Sequence, residues 1–100
     1  MNYGWKNING TGSLNCRCGS WKDHWVRFSH EPWPSVCSVA DCTEKPILGA
    51  HVSNPNISGE KIVPMCDRCN KSNESFALKL GITLVSADTD ETCDSFLLRR

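Results

Sequence analysis

Two closely spaced cysteine pairs constrain this chain more than any other feature of its sequence. Cys37 and Cys42 form the first pair, with four residues between them, and Cys66 and Cys69 form the second, within IVPMCDRCNKS. A tetrahedral zinc ion takes four soft or borderline donors at about 2.0–2.3 Å, and two tight turns that each carry two thiolates supply them. The spacing therefore predicts one Zn²⁺ site that joins two separated parts of the chain.

The cysteines could instead form disulfides, a redox pair or buried free thiols. The chain has seven cysteines in 100 residues, an odd number that leaves one thiol over, and no export signal is visible. A redox Cys-x-x-Cys normally lies beside a βαβ pattern, which this sequence lacks. Buried free thiols have no reason to fall at ligand spacing. We therefore predict that the cysteines bind metal in a reducing compartment. Because no apolar run is close to the eighteen residues that a membrane span needs, we expect a soluble, cytoplasmic protein without a membrane partner.

The N-terminal part of the sequence predicts a loop followed by one helix. Residues 1–15 are polar and rich in Asn and Gly, without helical or strand periodicity, so a flexible or loosely docked arm is expected. Ser20 and Asp23 resemble a capping box, and aromatic residues recur after them at helical spacing. A short amphipathic helix over about 21–29 is predicted.

A hairpin is predicted in the middle of the chain. The apolar runs at 47–52 and 61–65 are short enough for strands, and the turn-rich segment SNPNISGE joins them. Together with the helix, this pattern predicts a small α+β fold in which residues 16–100 form a single zinc-binding domain.

Two further elements are expected after the hairpin. Beyond Cys69, the apolar residues Phe76, Ala77 and Leu80 mark one face of a helix, and Gly81 stands where a left-handed residue would close it. The apolar run ITLVSA then predicts a strand near the C-terminus.

Taken in order, the motifs CSVADC, GAHV and IVPMCDRCNKS resemble the treble-clef ββα-metal finger of the HNH (His-Me finger) endonuclease superfamily over about residues 37–80. The resemblance implies a zinc-stabilised treble clef, here with an added N-terminal helix and C-terminal strand. It also implies that His51 acts as general base on water, and that Asn70 holds a catalytic divalent cation such as Mg²⁺. The family usually has an acidic residue just before the strand histidine, and this chain has Ala50.

His51 has three possible roles at the level of sequence. It can be a packed structural residue, the general base that the resemblance implies, or a metal ligand, because neutral imidazole is a common zinc donor. The role of His51 can be assigned only once the groups around its ring and their distances are known.

The remaining cysteines suggest a second metal site. Cys16, Cys18 and Cys93, with His24 on the predicted helix, make a possible tetrahedral set that would tie both ends of the chain to the domain. A buried thiol, a solvated His24, or a disulfide between Cys93 and one of the pair are the alternatives. One zinc ion, or two, is therefore expected.

The net charge of the chain indicates which class of partner it can bind. Lys and Arg number 11, as do Asp and Glu, so the chain has no overall positive field to draw it onto a polyanion. Trp33, between two prolines, is expected to be exposed, where it could stack on a base. Two alternative functions are therefore predicted: a non-catalytic interaction module for a protein or nucleic acid partner, and an HNH-type metal-dependent endonuclease.

Overall fold

The structure is a computed structural model that describes residues 3–8 and 20–87. In chain order its elements are β1 (Lys6–Asn7), α1 (Trp21–Ser29), β2 (Leu48–Asn54), β3 (Ile57–Met65), α2 (Asp67–Asn70) and β4 (Val85–Ser86). The four strands form one antiparallel sheet in the order β1-β2-β3-β4. The α+β prediction is confirmed, and the treble-clef arrangement stays a prediction.

The central hairpin forms where the sequence predicts it, with longer strands. In β2 and β3, Leu48 pairs with Met65 and His51 with Ile62. The tight turn after Asn54 is stabilised by that residue's side chain, whose Oδ1 accepts a hydrogen bond from the Asn56 backbone at 2.9 Å. Asn favours such turns because its side chain bonds the backbone two residues on.

Helix α1 has the predicted bounds and the predicted cap. Ser20 Oγ accepts the Asp23 backbone N–H at 3.0 Å, and His30, at φ 60°, ends the helix in the left-handed region. The helix packs on the hairpin at Gly49, where a Cβ atom would lie 2.6 Å from the carbonyl carbon and oxygen of Trp21. Only glycine permits this approach without a shift of the helix.

The sheet has two different faces because side chains alternate along each strand. On one face, Ala50 and Val52 pack with the four cysteines of the two pairs in one buried cluster. On the other, Ile62 and Val85 pack against Trp25 of α1. The hairpin therefore separates a layer that carries the cysteines from a layer formed by α1.

The helix predicted after Cys69 does not extend beyond Asn70. Instead, Phe76 forms an isolated bridge with Trp5, and Leu78 forms another with Val39. These long-range backbone pairings satisfy the N–H and C=O groups that a helix would otherwise have paired, so tertiary context overrides the local periodicity. Gly81 does have a positive φ of 83°, but it lies in a turn that follows this extended segment.

The loop predicted for residues 1–15 is wrong at Lys6–Asn7, which form β1 against β2. Trp5 is fully buried and exchanges backbone hydrogen bonds with Phe76 at 3.0 and 2.8 Å. Burial of a large indole is the physical reason that this segment joins the sheet.

The C-terminal strand predicted from ITLVSA is present as β4. Within the described residues, no helix is long and apolar enough to cross a membrane.

Candidate metal centre

The structure brings the four cysteines of the two pairs together. Their Sγ atoms all lie within 4.8 Å of one another, and each side chain is buried. Cys37 and Cys42 come from the loop before β2, whereas Cys66 and Cys69 lie at the junction of β3 and α2. The group can hold a metal ion between two segments that are distant in sequence.

The spacing of the sulfur atoms distinguishes a metal site from a disulfide. Sγ of Cys42 and Sγ of Cys66 are 3.8 Å apart, and all four cysteines are free thiols. Two sulfurs bound to one tetrahedral zinc ion at about 2.3 Å lie about 3.8 Å apart, whereas a disulfide holds them at about 2.05 Å. The donor set and its spacing therefore fit zinc.

Backbone and side-chain donors surround the sulfur atoms. The Cys66 N–H donates to Sγ of Cys37, and the Cys69 N–H donates to Sγ of Cys66, each at 3.4 Å. Arg68 donates from Nη2 to Sγ of Cys42 at 3.6 Å and from Nε to the Glu44 carboxylate at 3.1 Å. Four thiolates around a dication have a net charge near minus two, and these donors offset it.

Protonation of the thiols depends on their surroundings. Burial raises the pKa of the Cys37 thiol and of the Cys69 thiol. A backbone hydrogen bond from Glu44 lowers the pKa of Cys42. Because a metal binds the thiolate, binding at Cys37 and Cys69 must release protons, and metal affinity must rise with pH.

A lysine that sequence reasoning missed supports the first cysteine loop. Lys79 Nζ donates to the backbone carbonyl oxygens of both Cys37 and Cys42. The same loop is closed by a hydrogen bond from the Cys37 N–H to the Glu44 carbonyl at 2.8 Å. Lys79 lies far from this loop along the chain, and no spacing motif links them, so the sequence contains no signal for the contact.

His51 lies on the face of the sheet opposite the cysteines. Its ring meets the Trp21 ring edge-on at a centroid distance of 4.4 Å, and the residue is 6% exposed. Ala50 and Val52 on either side of it pack with the cysteine cluster. Burial lowers the pKa of His51, so the ring is neutral at pH 7. These contacts favour the structural interpretation of His51.

Asn70 ends α2, the short helix that carries Cys69. Its backbone N–H donates to the Cys66 carbonyl at 3.0 Å. Asn70 therefore belongs to the cysteine layer, whereas the His51 ring belongs to the α1 layer. The catalytic roles that the family resemblance implies for His51 and Asn70 stay a prediction.

His24, predicted as part of a second metal site, is fully buried inside the α1 layer. Its ring lies between Trp21, at a centroid distance of 5.0 Å, and Phe28, at 4.9 Å. Nε2 lies 2.8 Å from the Ser86 carbonyl oxygen. Burial lowers the pKa of His24, and the hydrogen bond to Ser86 opposes this effect. Its three proposed partners, Cys16, Cys18 and Cys93, lie outside the described residues.

Trp33 is not the exposed aromatic that its flanking prolines predict. It is half-buried, its Nε1 donates to the Pro46 carbonyl at 3.0 Å, and its ring meets Trp25 edge-on at 5.7 Å. The indole is engaged on two sides, which leaves less of it for stacking on a base.

An apolar groove lies next to the extended segment around Leu78. Its volume is about 280 Å³, and its lining consists of Tyr3, Ala40, Asp41, Ala77, Leu78, Lys79 and Leu80. Tyr3 is 62% exposed and Leu80 is 82% exposed, so two large apolar side chains stand in solvent beside it. We refer to this surface as the Tyr3–Leu80 groove.

Comparison with protein-family models, with curated proteins and with solved structures finds no match for this chain.

Proposed function

We propose that this chain is a zinc-binding, HNH-like domain without catalytic activity, and that it serves as an interaction module for a protein partner. The observation that carries the proposal is the buried cluster of four cysteine sulfurs, all within 4.8 Å of one another. Such a set supplies the four ligands of a structural zinc site and leaves no coordination position for water or substrate. A catalytic zinc site has three protein ligands and one open position.

The surroundings of His51 support a non-catalytic role. A hydrolytic base must reach the water that it activates, but His51 is 6% exposed and its ring lies against Trp21. The residue before it is Ala50, which is 2% exposed and offers no oxygen to a hard divalent cation.

The Tyr3–Leu80 groove supports a protein partner over a nucleic acid. Its lining has one acidic residue and one lysine, and the amino group of that lysine, Lys79, already donates to two backbone carbonyls. A nucleic acid site needs several cations that contact phosphate. Exposed large apolar side chains beside a shallow cavity are instead typical of the centre of a protein interface.

Nuclease assays test the absence of catalysis. The purified protein and a His51→Ala variant are incubated with plasmid and single-stranded DNA in Mg²⁺, Mn²⁺ and Ni²⁺. We expect no cleavage by either protein with any cation. Cleavage by the native protein that is lost in His51→Ala would replace this proposal with the HNH endonuclease alternative, in which His51 activates water and Asn70 binds the cation.

The interaction surface is tested with a matched pair of charge substitutions. Leu80→Asp changes the groove, whereas Ile57→Asp changes an apolar residue of the hairpin that is 37% exposed and lies outside the groove lining. We expect a cross-linked protein partner that is retained by the native chain and by Ile57→Asp but lost with Leu80→Asp. Equal loss with both variants, or micromolar binding of DNA or RNA at physiological salt, would contradict a protein-binding groove.

A further inference from the structure

The side chain of Asn7 connects strand β1 to the second cysteine pair. Asn7 lies in β1, where its backbone pairs with Val52 of β2. Its Nδ2 donates two hydrogen bonds, to the Cys69 carbonyl oxygen at 2.8 Å and to the Ser72 carbonyl oxygen at 3.0 Å. These acceptors lie 62 and 65 residues further along the chain. One amide group of β1 therefore holds the backbone of a residue whose sulfur belongs to the four-cysteine centre.

The acceptors determine how this amide is oriented. A carbonyl oxygen only accepts hydrogen bonds, so the group that faces Cys69 and Ser72 must be the NH₂ group of Asn7. Its Oδ1 is buried, and no donor among the described residues bonds to it. A buried acceptor without a partner costs free energy. The amide is therefore unfavourable at this position except for the two hydrogen bonds that it donates.

The two hydrogen bonds act where α2 ends. This helix is one turn long (Asp67–Asn70), and the last carbonyls of a helix have no partner within it. The Cys69 carbonyl accepts from the Ser72 backbone N–H at 3.1 Å as well as from Asn7, which its two lone pairs allow. The Cys69 N–H donates to Sγ of Cys66 at 3.4 Å. The backbone of Cys69 is thus held on both sides, and the direction of its Cα–Cβ bond, which carries the sulfur, follows from that backbone.

We propose that Asn7 is a positioning residue of the four-cysteine centre, which fixes the sulfur of Cys69 in the geometry that the metal ion needs. The inference rests on the zinc site proposed above and adds a residue that contributes no ligand atom. Groups outside the ligands that orient them by hydrogen bonds change metal affinity about 10–100-fold when they are substituted. Removal of the two N–H donors should therefore weaken metal binding although all four thiols remain.

Cobalt substitution tests the proposal on the full chain. Co²⁺ in a tetrahedral set of four thiolates has a strong visible absorption that is sensitive to ligand geometry. Asn7→Leu keeps a side chain of similar size and removes both donors. We expect it to bind Co²⁺ about 10–100-fold more weakly than the native chain in competition with a chelator, and to shift the visible spectrum. Asn7→Ser cannot overpack the position and can donate to one carbonyl at most, so its affinity should fall in the same direction.

A substitution in the other layer separates positioning from general loss of stability. Trp25→Phe removes the Nε1 hydrogen bond to the Thr83 carbonyl in the α1 layer. It should lower the free energy of unfolding by urea, while the folded protein keeps the native cobalt affinity and spectrum. Native affinity and spectrum in both Asn7 variants, or an equal change in Trp25→Phe, would overturn the role of Asn7. Absence of a four-thiolate cobalt spectrum in the native protein would instead overturn the zinc centre itself.

Discussion

The two layers on either side of the sheet differ in what fills them. In the α1 layer, Trp21, Trp25 and Trp33 pack with Ile62 and Val85, so large rings supply the buried apolar area. In the cysteine layer, the four sulfurs pack with the large side chains of Trp5, Met65 and Leu78 as well as with smaller ones. A domain of this size has little surplus apolar burial. The comparison teaches that both layers bury apolar side chains, and that only the cysteine layer also has four thiols placed to hold a metal ion.

Removal of the proposed metal from the cysteine layer should have the largest effect on stability. A strong chelator removes a contribution of about 10 kcal/mol, which is comparable with the whole stability of a small domain, and Cys69→Ser removes one of the four ligands that supply it. We expect loss of cooperative thermal unfolding and of the helical circular dichroism signal. Thr43→Ser, an exposed change in the first cysteine loop, is the matched control and should behave as native protein. A cooperative transition in metal-free protein would contradict a metal-dependent layer.

A cavity in the α1 layer should have the next largest effect. Trp25 is 3% exposed and its Nε1 donates to the Thr83 carbonyl at 3.0 Å, so Trp25→Ala removes a large packed ring and strands an acceptor. We expect a loss of about 3–5 kcal/mol in the free energy of unfolding by urea titration. Tyr3→Ala removes an exposed aromatic ring and should cost far less.

Metal binding by the same variant tests whether the two layers are independent of each other. Under native conditions, folded Trp25→Ala protein should bind as much metal as the native chain, because the substituted side chain lies on the face away from the cysteines. Loss of the four-sulfur centre in the folded fraction would show that the two layers are not separable.

A smaller effect is expected where helix and sheet meet. Gly49→Ala places a methyl group 2.6 Å from the Trp21 backbone, so α1 must move outward. Overpacking of this kind costs about 1–3 kcal/mol. The near-ultraviolet circular dichroism of the tryptophans should change with it. Gly59→Ala meets no atom within 4 Å and strains only its own positive φ, so its tryptophan spectrum should stay native. Identical spectra for both variants would refute the close approach.

The pH dependence of stability should show the smallest effect. Burial holds the pKa of His51 below its ordinary value of 6.5, so the unfolded chain binds the proton more readily than the folded one. Stability contributed by neutral His51 is therefore complete above about pH 6.5 and is lost as pH falls toward the folded pKa, by at most about 1.4 kcal/mol per pH unit. Urea titrations from pH 8 to 5 should give a shallower slope for His51→Gln than for native protein, since metal release affects both alike. Equal slopes would contradict the burial of His51.

The sequence predicts those features that depend on local patterns. The paired cysteines, the Ser20 cap of α1 and the turn between β2 and β3 are recognisable because each has a short signature whose meaning does not depend on the rest of the fold. The apolar period of Phe76 and Leu80 was misleading for the opposite reason. Leu80 is 82% exposed, and Phe76 pairs with Trp5 from the other end of the described chain, a contact with no local signal.

Long-range contacts also explain what sequence reasoning missed at the candidate site. Lys79 reaches the carbonyls of the first cysteine loop because Leu78 pairs with Val39 and sets the neighbouring backbone in register. In the same way, the side on which His51 points follows from the register of β2 against β3. A family resemblance can suggest a role for such a residue, but packing decides which solvent or ligand it meets.

The position of β1 has a consequence for synthesis of the protein. Lys6 and Asn7 pair with β2, and Trp5 pairs with Phe76, so β1 must wait for partners that are synthesised much later. At roughly 5–20 residues per second, the indole of Trp5 stays without its native cover for several seconds. The nascent chain therefore exposes a large aromatic group early, and chaperones that bind such groups have time to reach it before the sheet closes.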